Sequence, residues 1–298
     1  MSLSSNITIA SAVVASSILG YVIYKLIFKK KKVLFDPTNP TDKHSLMIEK
    51  NEIIAHNVRK MKLSFTDCDV LSGLSPGQHV SIQGLMADIK PAFRVRFYSP
   101  VHKLDLTGFI EIIYKEYPEE LLNKKQGAFS RYLASKKVGE QIAVSGPYGF
   151  ITYYGKGTFF IKAQQRKVNF KHLVMLACGS GITPMFQLIQ SILEDQSDQT
   201  KITLLYSNKQ VDDIILREQL DTYEKQNEQR LKVIHTLTRL TEQNNWEGET
   251  GRIDKDKIVK HMPPPSSEVF CLICGTKDMN VTLKEIASKL GYGNIYCY

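Results

Sequence analysis

From Ser45 to about residue 160, apolar and polar positions alternate in short runs, VRKMKLSF, HVSIQG, FRVRFYS, FIEIIY and QIAVSG, parted by glycine and proline. Successive side chains of a strand point to opposite faces, so period-two runs of this length predict the half-buried strands of an antiparallel β-barrel or sandwich. One stretch, Phe129 to Lys136, breaks the alternation and reads as a helix. From residue 172 the pattern changes. LVMLA is followed by PMFQLIQSIL, ITLLY by IILREQLDTYEKQ, LKVIHTL by DKDKIVKHM and VFCLIC by DMNVTLKEIASKL, with NIYCY closing the chain. Continuous apolar strands alternating with amphipathic helices predict an α/β domain, a parallel sheet with helices on both faces. The expected domains are 45–160 and 172–298, joined by a polar linker at 161–171.

Ahead of them no charged residue occurs from Ile7 to Tyr24, and Lys25 and Lys29 to Lys32 follow. About 20 residues at a rise of about 1.5 Å cross a bilayer core of about 30 Å, with Lys25 snorkelling to the surface. Residues 1–32 therefore predict an N-terminal transmembrane helix whose lysine flank, and the domains beyond it, face the cytosol. A cleaved signal peptide is the competing reading, disfavoured because the six leading residues carry no lysine or arginine and lysines directly follow the apolar run. Hydropathy does not separate an endoplasmic reticulum membrane from a mitochondrial one. Residues 33–44, VLFDPTNPTDKH, predict a linker to the first domain.

The formal charge of +9 changes little, because five of those charges belong to Lys25 and Lys29 to Lys32. With no recognised nucleic-acid motif besides, a nucleic-acid partner is not implied. A composition of 43% hydrophobic and 23% charged residues rules out a disordered or collagenous chain, and five scattered cysteines rule out a disulfide scaffold. Cys271 and Cys274 form a CxxC without a second ligand pair, in a segment that reads as a strand and points them to opposite faces. No metal site is expected, and Cys274, at the strand's carboxyl end, is the cysteine placed for function.

Three short motifs carry candidate chemistry. Cys178-Gly179-Ser180-Gly181-Ile182-Thr183-Pro184 lies between a strand and a helix, where glycines let the backbone approach a pyrophosphate facing the helix N-terminus. Alone it fits an ordinary glycine turn equally well. Arg96-Phe97-Tyr98-Ser99-Pro100 ends a strand, and its guanidinium, ring and hydroxyl could all serve one flavin nucleotide or simply form a packed strand end. Gly127-Ala128-Phe129-Ser130 opens the lone helix of the first domain, as a second phosphate cradle or as plain helix capping.

In their order, these motifs together with Gly77-Gln78-His79-Val80, Gly146-Pro147-Tyr148-Gly149 and Cys274-Gly275 with Met279 resemble the NADH-cytochrome b5 reductase family of the ferredoxin-reductase superfamily, from Ser45 to the C-terminus. The resemblance implies a flavoprotein reductase passing a hydride from NADH to FAD, and then single electrons to a haem acceptor such as cytochrome b5. It implies an FAD pyrophosphate on Arg96, the flavin against Tyr98, and Ser99 near flavin N5, with Lys115 and Tyr117 near FAD and Gly127, Phe129 and Ser130 at its phosphates. Thr183 would lie between flavin and nicotinamide, and Gly179, Gly181, Cys274, Gly275 and Met279 would form the NADH side. Ser99, Thr183 and Cys274 are thus the expected catalytic residues. Asp213 matches an acid that would bond the adenine-side ribose and repel a 2′-phosphate, whereas Lys209 could do the opposite. The chain departs from the family at Ala128, commonly lysine, and at Thr276, Lys277 and Asp278, commonly prolines. Those departures motivate an alternative of another class, a structural or assembly subunit of a membrane complex that keeps the fold but has lost turnover.

Overall fold

The computed structural model describes residues 32–86, 92–117, 127–239 and 246–298. The expected anchor, Ile7 to Tyr24, lies outside the described residues, and no described helix is long and apolar enough to cross a membrane. Val33 to Tyr298 form one unit.

Its first part is a six-stranded antiparallel sheet built from β1 (His44–Ala55), β2 (Val58–Ser64), β3 (His79–Met86), β4 (Ala92–Tyr98), β5 (Phe109–Lys115) and β6 (Gln141–Tyr148), in the order β4-β3-β6-β1-β2-β5. Edge strands β4 and β5 approach one another and curl the sheet into a barrel. Alternation explains the inside: in β2, Met61 and Leu63 are fully buried while Lys60 and Lys62 are partly exposed, and Ile110 and Ile112 of β5 and Ile142 and Val144 of β6 join the same interior. Helix α1 (Ala128–Ser135) closes one end by burying Phe129 and Leu133 in it. Residues 33–44, expected as a linker, contribute to this core. The Phe35 ring is fully buried, and Leu34 and Phe35 donate backbone hydrogen bonds to Leu71 and Ser72.

The second part is a six-stranded parallel sheet of β10 (His172–Cys178), β11 (Lys201–Asn208), β12 (Leu231–Leu237), β13 (Glu249–Thr250), β14 (Val269–Cys274) and β15 (Ile295–Cys297), in the order β13-β12-β11-β10-β14-β15. Strands β10 and β14 are buried almost throughout because helices cover both faces: α2 (Ile182–Glu194) and α3 (Arg217–Gln226) pack on one, α4 (Lys255–His261) and α5 (Lys277–Lys289) on the other. Between the two parts, β7 (Ile151–Tyr153), β8 (Thr158–Ile161) and β9 (Arg166–Asn169) make a three-stranded antiparallel sheet. The polar segment expected as a linker at 161–171 thus contains a strand, whose ladder is completed by β8. Asp198, fully buried, accepts hydrogen bonds from the Tyr153 hydroxyl, from Lys156 N at 2.9 Å and from Thr200 N at 2.9 Å, tying this small sheet to the α/β domain.

Candidate active site

The carboxyl ends of β10 and β14 meet the open edge of the barrel in a cleft of about 940 Å³, at the upper end of the usual range for ligand sites. It brings together Arg96, Tyr98, Ser99, Lys115, Tyr117, Gly127, Phe129 and Ser130 from the barrel with Gly181, Thr183, Cys274 and Gly275 from the α/β domain. Gln187 of α2 ties the α/β domain to the barrel, reaching a partner 87 positions away. Its buried amide accepts from Gly77 N at 2.8 Å and donates to Pro100 O at 3.2 Å. Nothing in the motif order singled out Gln187; the available signal was a glutamine inside the otherwise apolar run PMFQLIQSIL.

On the barrel side Arg96 stands exposed on β4, its guanidinium 6.0 Å from the Phe129 ring centre and donating to Val95 O at 2.9 Å. No carboxylate pairs with it among the described residues, which leaves its charge for an anion. Gly127 precedes α1 with φ +74, and a Cβ there would meet Tyr117 Cβ at 2.7 Å, so glycine is required on both counts. This end of α1 has no side-chain cap, leaving first-turn N–H groups for an acceptor from outside. The Ser130 hydroxyl donates to Gly127 O at 2.8 Å and accepts from Tyr117 N at 3.2 Å. Its proton is committed to the turn, so in this arrangement the backbone rather than Ser130 presents donors. The Tyr98 ring stacks toward Phe129 at 6.5 Å and is driven well above the usual phenol range mainly by burial, so it stays neutral. Ser99 beside it is buried.

On the α/β side Gly179 takes φ +55, and a Cβ on Gly181 would lie 2.2 Å from Cys274 O. The two loops after β10 and β14 therefore touch backbone to backbone, and α2 begins directly behind them. Thr183 is buried and its hydroxyl donates to Ser180 O at 3.2 Å. Burial pushes the Cys274 thiol up to about 12, which keeps it protonated at neutral pH as a packing wall rather than a nucleophile. Gly179, Asp213 and Met279 do not line the cleft itself. Gly179 O accepts from the Tyr206 hydroxyl at 2.9 Å, and Met279 packs into the core on the α5 face. Asp213, buried, is bound by Lys115 Nζ at 2.8 Å, an ion pair joining the barrel to the α/β domain. Tyr296 and Tyr298 also line the cleft and had not been singled out. Thr276 sits extended at the N-cap of α5 with Asp278 in its first turn, where a carboxylate suits the helix dipole, so this helix start forms without the prolines. Ala128 is buried at the first position of α1.

The donor set fits a flavin dinucleotide on the barrel: a free guanidinium and an uncapped helix start for the diphosphate, with a neutral ring and hydroxyl beside a flat heterocycle. The glycine turn and the Cys274 loop fit a second dinucleotide. The oxidoreductase FAD-binding domain family matches residues 45–153 and the oxidoreductase NAD-binding domain family residues 175–285. NADH-cytochrome b5 reductase 2 of Xenopus tropicalis is 36% identical over 300 residues, covering 98% of this chain and 97% of its own. NADH-cytochrome b5 reductase 3 of Rattus norvegicus is 30% identical over 278 residues, 91% of each chain. The crystal structure of the cytochrome b5 reductase domain of Ulva prolifera nitrate reductase superposes with a TM-score of 0.83 at 25% identity, covering 90% of this chain and 100% of that one. Fold, cleft and relatives agree: the chain belongs to the NADH-cytochrome b5 reductase family and is an NADH-dependent FAD oxidoreductase.

Proposed function

We propose that the protein is a membrane-anchored reductase that takes a hydride from NADH and delivers electrons singly to a haem protein of the cytochrome b5 type. The observation that carries this reading is the single cleft in which Arg96, Tyr98, Ser99 and the start of α1 face Thr183, Cys274 and the glycine turn. When bound, FAD supplies the conversion between two-electron and one-electron chemistry. The chain's own residues bind and orient. Arg96 and the α1 amides hold the diphosphate, Tyr98 and Ser99 fix the ring system, and Thr183 with the neutral Cys274 thiol shapes the nicotinamide end. Gly179 and Gly181 admit the second diphosphate, Asp213 takes the adenine-side ribose, and Gly275 and Met279 form and support the loop beside it. Hydride transfer itself needs no protein acid or base, so the task of these groups is alignment and exclusion of water.

For the acceptor, the small sheet, whose Phe150 and Lys162 line the cleft, offers a basic, aromatic face. Exposed Phe150 and Tyr154 stand on the small sheet with Lys162 Nζ 6.0 Å and Lys167 Nζ 4.0 Å from their ring centres. An acidic haem-protein surface suits such a face, and charge would mainly raise its on-rate. Lys124 and Lys125 lie outside the described residues. The charge-free run Ile7 to Tyr24 supports the anchor, with the folded part in the cytosol.

The test is steady-state reduction of cytochrome b5 by the full chain in vesicles. Lys162→Glu with Lys167→Glu should slow it and weaken its salt dependence while NADH reduction of ferricyanide persists. Deleting residues 1–32 should abolish vesicle association. Unaltered cytochrome b5 kinetics in the charge-reversed protein would sink the docking face, and continued vesicle binding by the truncated chain would sink the anchor.

A further inference from the structure

Thr183 and Gln187 stand one turn apart on the same face of α2, the first lining the cleft and the second withdrawn from solvent, with 1% of its surface exposed. A buried amide is costly unless both of its ends are bonded. In Gln187 both are: Oε1 accepts from Gly77 N at 2.8 Å and Nε2 donates to Pro100 O at 3.2 Å. Neither partner is an arbitrary stretch of barrel. Pro100 directly follows Ser99 and Gly77 stands two residues before His79, and Ser99 and His79 both line the cleft. Gly77 takes φ +93, and a Cβ there would meet Ile151 O at 3.2 Å, so the turn that presents its N–H is itself fixed. The two parts of the fold are joined besides by Lys115 and Asp213 at 2.8 Å, so Gln187 is not needed merely to hold them together. What its amide adds is a set distance between the strand end carrying Ser99 and the helix turn carrying Thr183.

We propose that Gln187 is a positioning residue for hydride transfer, whose buried amide fixes the flavin side of the cleft against the nicotinamide side. The inference rests on the reading that sets the flavin against Ser99 and the nicotinamide against Thr183. Gln187 itself does not line the cleft, and it acts through Pro100 and through its own helix. Transfer needs the reacting atoms about 3–3.5 Å apart, and a misplacement of about 1 Å can cost about 100-fold in rate. An apolar side chain of the same length would fill the volume but leave the Gly77 N–H and the Pro100 carbonyl without partners, and the strand end and helix would shift to recover them.

Rapid-mixing reduction of the full-length, flavin-loaded protein by NADH, expressed per bound flavin, separates binding from transfer. Gln187→Met should lower the limiting rate about 10- to 100-fold while the NADH concentration giving half that rate moves less than about threefold. In Gln187→Glu burial favours the neutral carboxyl, which offers one acceptor and one donor, so the rate should recover to within about threefold of the unaltered protein. Loss of stability or of flavin alone would reduce the amount of loaded protein and leave the rate per flavin where it was. An unchanged rate per flavin in Gln187→Met, a loss confined to the half-saturating concentration, or a Gln187→Glu protein no faster than Gln187→Met overturns the proposal. Should Gln187→Met retain no flavin, Gln187→Asn, whose shorter amide cannot span both partners, takes its place with the same expected loss. Failure of NADH to reduce the flavin of the unaltered protein would instead overturn the reading of the cleft, whatever the variants show.

Discussion

Replacing Asp213 by alanine strands the Lys115 ammonium at the junction of the two domains, and the size of the effect follows from the geometry. At 2.8 Å and an effective dielectric of about 20, the Coulomb attraction is about 6 kcal/mol. The side chains are only 11% and 10% exposed, so desolvation offsets much of that gain. Removing one partner of such a pair costs about 3 kcal/mol, the low end for buried pairs, because the lysine stem can turn its head toward the cleft. Asp213→Ala and Lys115→Met should each lower the midpoint of thermal unfolding of the flavin-loaded protein by about 6–12 °C. The double variant leaves no unpaired charge and should recover most of the loss, giving a coupling of about 2–3 kcal/mol. Circular dichroism of the four proteins measures it. A double variant whose midpoint drops by the sum of the single losses would show that the pair does not act as one unit.

Arg96→Ala should weaken FAD binding about 10- to 150-fold through loss of one charge-assisted contact of about 1.5–3 kcal/mol, and equilibrium dialysis reads the change. Gly181→Ala should abolish reduction by NADH, because its Cβ would lie 2.2 Å from a backbone oxygen; unchanged rapid-mixing kinetics would refute the backbone contact. Stability should also fall with acid. His102 and His235 are both held at about 4 by burial, against about 6.5 unfolded, so the unfolded chain binds protons first. Stability is complete above about pH 6.5 and declines as the pH drops toward 4, by up to about 3 kcal/mol for each histidine. His102 Nδ1 accepts from Glu111 N at 3.2 Å, so His102→Asn should flatten part of the urea-midpoint profile; an identical slope would contradict the assignment.

Both layers of the architecture were legible in the residues because burial imposes its period directly. LVMLA and VFCLIC are apolar throughout since helices cover both sheet faces, and VRKMKLSF alternates since one face is wet. The glycine turn and the start of α1 were legible because positive φ and close backbone approach demand glycine at Gly127 and Gly179. Strand β9 was not, because RKVN keeps only Val168 partly buried and depends on β8 for its ladder. Phe35 sits among prolines and polar residues that read as linker, and only the assembled barrel shows the space it fills. The commitment of Ser130 to Gly127 and of Asp213 to Lys115 was hidden for another reason. Both depend on three-dimensional placement, and the second joins residues 98 positions apart.

The most direct measurement is the visible absorbance of the purified full-length protein before and after anaerobic addition of NADH. The account predicts a flavin spectrum that bleaches on addition and returns when cytochrome b5 is supplied, as the haem becomes reduced. A protein that carries FAD but keeps its spectrum unchanged with NADH would contradict the claim that this cleft aligns the two nucleotides for hydride transfer.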